Sequence, residues 1–101
     1  MAKRDPFDDC RPRRESKNEK DIVEIAEYYG WFAFKFVSPQ FNGMPDRGFV
    51  KNGVLILVEV KQEGKEPTKL QKVRARQFRE MGIEVYWLDK PEGAHEIFRP
   101  R

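Results

Sequence analysis

Two carboxylates and an ammonium group, Asp46, Glu59 and Lys61, carry the most specific chemical signal in this 101-residue chain. The signal comes from how they pair, since each residue alone is common. Asn52-Gly53, with a strand-like run on either side, favours a two-residue type I′ hairpin. Counting outward from that turn, Lys51 faces Val54, Val50 faces Leu55, Phe49 faces Ile56, Gly48 faces Leu57, Arg47 faces Val58 and Asp46 faces Glu59. Opposed residues share a face with Cβ atoms roughly 4.5–5.5 Å apart, so two acids there repel unless a cation or a proton sits between them. Lys61 falls on the same face, two residues beyond Glu59. A divalent ion between the acids would relieve the repulsion and act as a Lewis acid. Lys61 could then position or deprotonate a water, or stabilise charge on an attacked phosphate. A bulge at Gly48 would shift this register. The competing reading is a surface aspartate at a strand start and an ordinary Glu-Lys pair on an edge strand. The aliphatic run up to Glu59 argues instead for an interior strand covered on both faces.

Composition narrows the chemistry further. Cys10 is the single cysteine and His95 the single histidine, which excludes an intrachain disulfide, a cysteine-rich zinc site and a histidine-cluster metal site. His95 reads as a surface residue of the C-terminal tail. Any metal is therefore held mainly by oxygen, which favours magnesium, manganese or calcium. A hydrophobic fraction of 39% supports one core, and the length leaves no room for a second. The net charge of +3 suits a polyanionic partner without requiring one. No stretch is long and apolar enough to span a membrane and no signal peptide opens the chain, so an intracellular, cytoplasmic location is expected.

The elements that must position these residues follow from pattern. Residues 1–15 mix acidic and basic side chains with two prolines and read as an irregular arm, either solvated or touching phosphates or a partner subunit. Ser16 and Glu19 form a capping-box pattern opening a helix to about Tyr29, with Gly30 as its stop and Ile22, Val23, Ala26 and Tyr29 as its apolar stripe. Glu19 lies in register with that stripe, an unusual place for a carboxylate. Residues 31–37 alternate as a strand, with Phe32, Phe34 and Phe36 on one face and Lys35 on the other, and residues 38–45 form a loop. After the hairpin and a polar loop over residues 62–67, Thr68 and Gln71 form a second capping pattern. That helix continues to Met81, with Leu70, Val73, Phe78 and Met81 as its expected core contacts. Its remaining surface carries Lys69, Lys72, Arg74, Arg76 and Arg79. Residues 83–88 are the last strand, and the tail from Asp89 reads as irregular. The order α-β-β-β-α-β predicts an α/β sandwich with a mixed central sheet flanked by helices.

At these residues the chain resembles the VRR-NUC family of virus-type replication-repair nucleases, a branch of the PD-(D/E)XK superfamily. The resemblance rests on Gly43-Met44-Pro45-Asp46-Arg47, then Glu59-Val60-Lys61, then Gln71 at the head of the following helix, then Gly82-Ile83-Glu84-Val85-Tyr86. Glu19-Lys20 and Lys35-Phe36-Val37-Ser38-Pro39 also fit, so it covers nearly everything from Glu15 to Leu88. An E-x-K triplet means little alone; the ordered set with a hairpin between its members is specific. The resemblance implies a restriction-endonuclease-like core over residues 16–90, followed by a tail over 91–101, and a metal-dependent phosphodiesterase activity. It implies Asp46, Glu59 and the Val60 carbonyl as ligands of Mg2+, with Mn2+ able to substitute, and Lys61 serving the attacking water. It further implies that Glu19 completes the acidic site and that Gln71 steadies Lys61 or the phosphate. Each of the last two has a structural role open to it as well, Glu19 as partner of Ser16 and Gln71 as partner of Thr68.

The implied substrate is DNA, and the expected phosphate contacts are Lys35, Lys69, Lys72, Arg74, Arg76 and Arg79. Nothing resembles a base-reading module, so sequence specificity is not expected. Stand-alone members of the family resemble junction resolvases, which implies branched DNA and a two-fold homodimer, since one chain carries one site. Some of the aromatic residues could serve that interface. No small-molecule cofactor and no membrane are expected. The alternatives are a non-catalytic basic nucleic-acid-binding module of the same fold and a small structural or protein-interaction domain.

Overall fold

Helix α1, Glu15–Tyr28, lies across one face of a four-stranded sheet in this computed structural model, which describes residues 14–36 and 42–100. The sheet order is β1 (Phe32–Lys35), β2 (Arg47–Lys51), β3 (Val54–Val60) and β4 (Glu84–Leu88). The first two pairings are antiparallel; β3 and β4 run parallel because helix α2, Lys69–Glu80, returns the chain between them. The sheet is mixed and flanked by helices, as the order of elements requires. Most of the expected N-terminal arm, the last residue of the expected first strand, and residues 38–41 of the expected loop lie outside the described residues.

The hairpin sets the register. Asn52 and Gly53 have φ of 50° and 80°, the two left-handed positions of a type I′ turn. Every pair from Lys51↔Val54 to Arg47↔Val58 is found opposite, with no bulge at Gly48. Gly48 does serve packing: the ring of Phe34 occupies the space that a Cβ there would take.

Alternation then sorts the side chains. Ala33, Phe49, Ile56, Val58, Val60 and Leu88 face α1 and join Ile22 and Ala26 in the core. The face with Phe32, Phe34 and Phe36 is the other one, and Phe32 is 70% exposed.

Four expectations are corrected. The tail from Asp89 is not irregular: Pro91–Gly93 form a 3-10 turn and Ala94–Phe98 a short helix, α3. Ala94, Ile97 and Phe98 are buried, and the Phe98 ring packs at a tilt on Phe49 with ring centroids 4.6 Å apart. The physical reason is that α1 leaves part of the core face uncovered; burying a Phe there stabilises the fold by roughly 1.5–3 kcal/mol. The Ser16 capping box does not form. The helix starts at Glu15 with Arg14 as its N-cap, and Glu19 is taken by Arg47 in a charge-assisted bond. In α2, Leu70 and Val73 are each 41% exposed and Met81 82% exposed, and no residue of that helix is fully buried. That helix packs mainly on β4, beside a cleft, so its apolar stripe is only half covered. The first strand is also shorter than residues 31–37, ending at Lys35.

Candidate active site

Glu59 sits near the end of β3, the strand between β2 and β4, and is 5% exposed. Its flanking residues Val58 and Val60 belong to the core on one face, which turns Glu59 to the opposite face, beneath the head of α2. Asp46 is the residue just before β2. Its carbonyl accepts a hydrogen bond from the Phe36 N–H at 2.6 Å, which extends the β1–β2 ladder by one step, and its carboxylate meets that of Glu59. The pair inferred from the hairpin is therefore present.

Glu59 uses its two oxygens unequally. Oε1 accepts from Gln71 Nε2 at 2.8 Å and lies 3.4 Å from Lys61 Nζ. Oε2 is buried with no hydrogen-bond partner. Burial, and then the charge of Asp46, push the Glu59 carboxyl from its ordinary 4.5 up to about 8. Asp46 is raised too, first by burial and also by the negative charge of Glu19, while contacts with Glu59, the Val60 N–H and Lys61 pull the other way. A buried carboxylate pair of this kind requires a proton or a cation.

The surrounding donors fit a hard divalent ion. The hydrogen-bonded positions of the hairpin alternate, so Val54, Ile56, Val58 and Val60 direct their N–H and C=O toward β2. The Val60 carbonyl thus belongs to the Asp46 side of the sheet. Two carboxylates and a main-chain oxygen, with no sulfur or imidazole, suit magnesium or manganese, which keep several positions for water and phosphate. Among the described residues no three His, Cys, Asp or Glu side chains gather as a metal cluster. Glu19 in particular is held by Arg47, Nε to Oε1 at 2.7 Å.

Gln71 fills its expected capping place and makes a second contact, to Glu59 where Lys61 or the phosphate was expected. Its backbone N–H donates to Thr68 Oγ1 and its side-chain Oε1 accepts from the Thr68 N–H, completing the capping box, while Nε2 reaches Glu59. It steadies Glu59 directly, and no bond to Lys61 accompanies this.

Lys61 is fixed through its backbone. Its N–H donates to the Leu88 carbonyl at 2.9 Å, and its own carbonyl accepts from Asn18 Nδ2 at 2.9 Å. Asn18 also donates to the Asp89 carbonyl at 2.6 Å, so it clamps the ends of β3 and β4 where they diverge. Sequence reasoning missed Asn18, which is fully buried; the available signal was its place four residues before Ile22 on the apolar stripe. Arg47 was missed as well, although its position beside Asp46 was known from the register.

The basic residues divide into two groups. Arg79 donates to the Val85 carbonyl and Arg74 to the Asn42 carbonyl, so both also tie α2 to its surroundings. Lys69, Lys72 and Arg76 are exposed along the same helix, and Lys35 is exposed on β1, opposite Arg47. A cleft of about 180 Å³ opens between α2 and the sheet, lined by Pro45, Glu59, Gln71, Lys72 and Arg79 among others. Its lining thus brings the Glu59 carboxylate near two cations of α2, Lys72 and Arg79.

No protein-family model matches the chain. A curated relative, "Putative nuclease p44" of Acyrthosiphon pisum secondary endosymbiont phage 1, is 41% identical over 81 residues, covering 78% of this chain and 86% of the relative. A solved structure described as "VRR_NUC domain" superposes with a TM-score of 0.75 at 24% identity, covering 84% of this chain and 94% of that one. That superposition speaks for the fold, and the phage relative, at higher identity, speaks for kinship. The chain belongs to the VRR-NUC family of phage-type nucleases.

Proposed function

We propose that this nuclease is a magnesium-dependent deoxyribonuclease, an endonuclease acting on branched DNA such as four-way junctions and working as a homodimer. The metal dependence rests on one observation above all: Glu59 Oε2 is buried without a partner beside the Asp46 carboxylate. Asp46, Glu59 and the Val60 carbonyl would hold the ion, with Mn2+ able to replace Mg2+. When bound, such an ion supplies Lewis acidity toward a phosphate oxygen and makes a bound water more acidic.

The chain's own residues supply the rest. Gln71 keeps Glu59 Oε1 in one orientation, so that only Oε2 is left to serve the site. Lys61 Nζ, on the same wall, holds the attacking water and offsets charge gathering on the phosphate. The water oxygen bonds to phosphorus and one P–O ester bond breaks, leaving a phosphate monoester and a hydroxyl. Lys69, Lys72 and Arg76 are free in position to track phosphates beside the cleft, with Arg74, Arg79 and Lys35 adding to the field. One chain carries one such wall, so symmetric cutting of two strands requires a two-fold pair. The preference for branched DNA follows from the resemblance of stand-alone members to junction resolvases.

The test is a cleavage panel of duplex, flap, splayed-arm and four-way-junction DNA with magnesium, calcium or chelator. Magnesium-dependent cutting is expected, strongest on the junction. Asp46→Asn and Lys61→Ala should each lower it by about 100-fold or more. If both variants cut as the wild type does, the assignment fails. Salt-sensitive binding with no cutting of any DNA form would make the chain a non-catalytic binding module.

A further inference from the structure

The fold treats its two tryptophans differently. Trp31 packs against the core, its Nε1 donating to the Phe98 carbonyl at 2.8 Å and its ring set edge-on to Phe98 with centroids 5.5 Å apart. Trp87 is 41% exposed, although it belongs to β4 and pairs with Glu59 of β3. Partners in a ladder share a face, so the indole stands one strand, roughly 4.8 Å, beyond Glu59. Because β3 lies between β2 and β4, Asp46, Glu59 and Trp87 follow one another across the same face of the sheet.

Trp87 also lines the cleft of about 180 Å³ that reaches the Glu59 carboxylate. Pro45, Pro67 and Val85 make part of that cleft apolar, while Lys72 and Arg79 stand on its helix side. It is smaller than the roughly 300–1,000 Å³ pockets that enclose drug-sized ligands, a size that suits one planar ring system. An open aromatic face with cations beside it is the combination by which proteins hold an unstacked nucleobase. The ring stacks on the π-face that every base has, and the cations take the phosphates.

We propose that Trp87 is the stacking platform of a nucleobase subsite, and that the cleft takes the base of a nucleotide next to the scissile phosphate. The inference rests on the DNA-cutting reading given above and deepens it by naming what in the DNA is recognised. A base inside a continuous duplex is out of reach, since it must leave its stack and its pair to enter a side-chain pocket. The subsite therefore selects strands interrupted at a branch, a flap or a single-stranded end over closed duplex. It does so without reading base identity, because stacking tolerates any base.

Binding and cutting are read separately, on the full chain. With chelator present, a short single-stranded oligonucleotide should quench the tryptophan emission of the wild type. Trp87→Phe, which emits from Trp31 alone, should not respond, and a strand of abasic sugar-phosphate should quench neither protein. Affinity for the oligonucleotide should fall about tenfold in Trp87→Ala and by about threefold or less in Trp87→Phe. Trp87→Leu should fall with alanine, because it keeps apolar bulk and loses the aromatic face. With magnesium, single abasic sites are then placed on either side of the cut in a four-way junction. At one position the wild type should slow about tenfold and Trp87→Ala by less than about twofold, its loss having already been taken. Equal slowing of both proteins at every position would overturn the proposal, as would leucine matching phenylalanine or quenching by the abasic strand. If the alanine variant does not fold, the comparison of leucine with phenylalanine and the quenching of the wild type carry the test. Base-dependent quenching with no cutting of any DNA form would overturn the catalytic reading and leave the subsite standing. Cutting without that quenching would overturn the subsite alone.

Discussion

The two faces of the sheet are built to opposite standards. On the α1 side, Ile22, Ala26, Phe49, Ile56, Val58 and Phe98 are shut from solvent and polar atoms are matched, Asn18 by two carbonyls and Trp31 Nε1 by the Phe98 carbonyl at 2.8 Å. On the α2 side no helix residue is fully buried, a cleft stays open, and a buried carboxylate oxygen lacks a partner. One strand, β3, serves both faces through alternate residues. Stability is concentrated on one side of that strand, and this allows the other side to hold a repulsive pair that would unfold a weaker sheet.

The largest test of that division is on the sealed face. Phe98→Ala removes a ring packed against Phe49 and Trp31, and a loss of about 3–5 kcal/mol of stability is expected by urea denaturation. A loss under 1 kcal/mol would mean that α3 is an ornament of the core and that the division between faces is false.

The same helix marks where sequence reading stopped. The hairpin was legible because Asn52-Gly53 fixes the turn, and a fixed turn with period-two alternation fixes every opposed pair up to Asp46 and Glu59. Gln71 was legible because a capping signal locates a helix start to the residue. The segment Ala94–Phe98 was not, because five residues are too few to show a helical period and their burial depends on a gap left by distant elements. Asn18 and Arg47 were missed for a related reason. Their partners, the Lys61 and Asp89 carbonyls and the Glu19 carboxylate, are far away in sequence, and only the packing of α1 on the sheet brings them together. The exposed stripe of α2 shows the converse: periodicity marks which face is apolar and says nothing about how completely it is covered.

An intermediate effect is expected from pH, on the open face. With its carboxyl raised from 4.5 to about 8, folded Glu59 keeps a proton that the unfolded chain has released. Between those two values the native state binds more protons, so stability without divalent ions falls as pH rises through the window and levels off above it. The slope for this group cannot exceed about 1.4 kcal/mol per pH unit, the limit for one proton. Glu59→Gln should flatten the slope and be more stable than the wild type at pH 8 and above, while losing cation-dependent cleavage. Thermal melts from pH 5 to 9 with chelator present check this. A metal-free wild type that gains stability over that range, with Glu59→Gln following the same curve, would show that the pair does not carry a proton.

The smallest effect should come from the helix above the cleft. Val73→Ala on α2 trims a side chain already 41% exposed, so little apolar surface is returned to water and no closed cavity is left. At about 25 cal/mol per Å2 of apolar surface, the cost should stay below about 1 kcal/mol, partly offset by the better helix propensity of alanine. The comparison with Phe98→Ala is the point, since both are apolar positions on helices flanking one sheet. A Val73→Ala cost as large as that of Phe98→Ala would require α2 to be sealed in solution by something that rests on it. Equal costs at protein concentrations from nanomolar to micromolar would place that cover within the chain; a cost that vanished on dilution would assign it to a second copy.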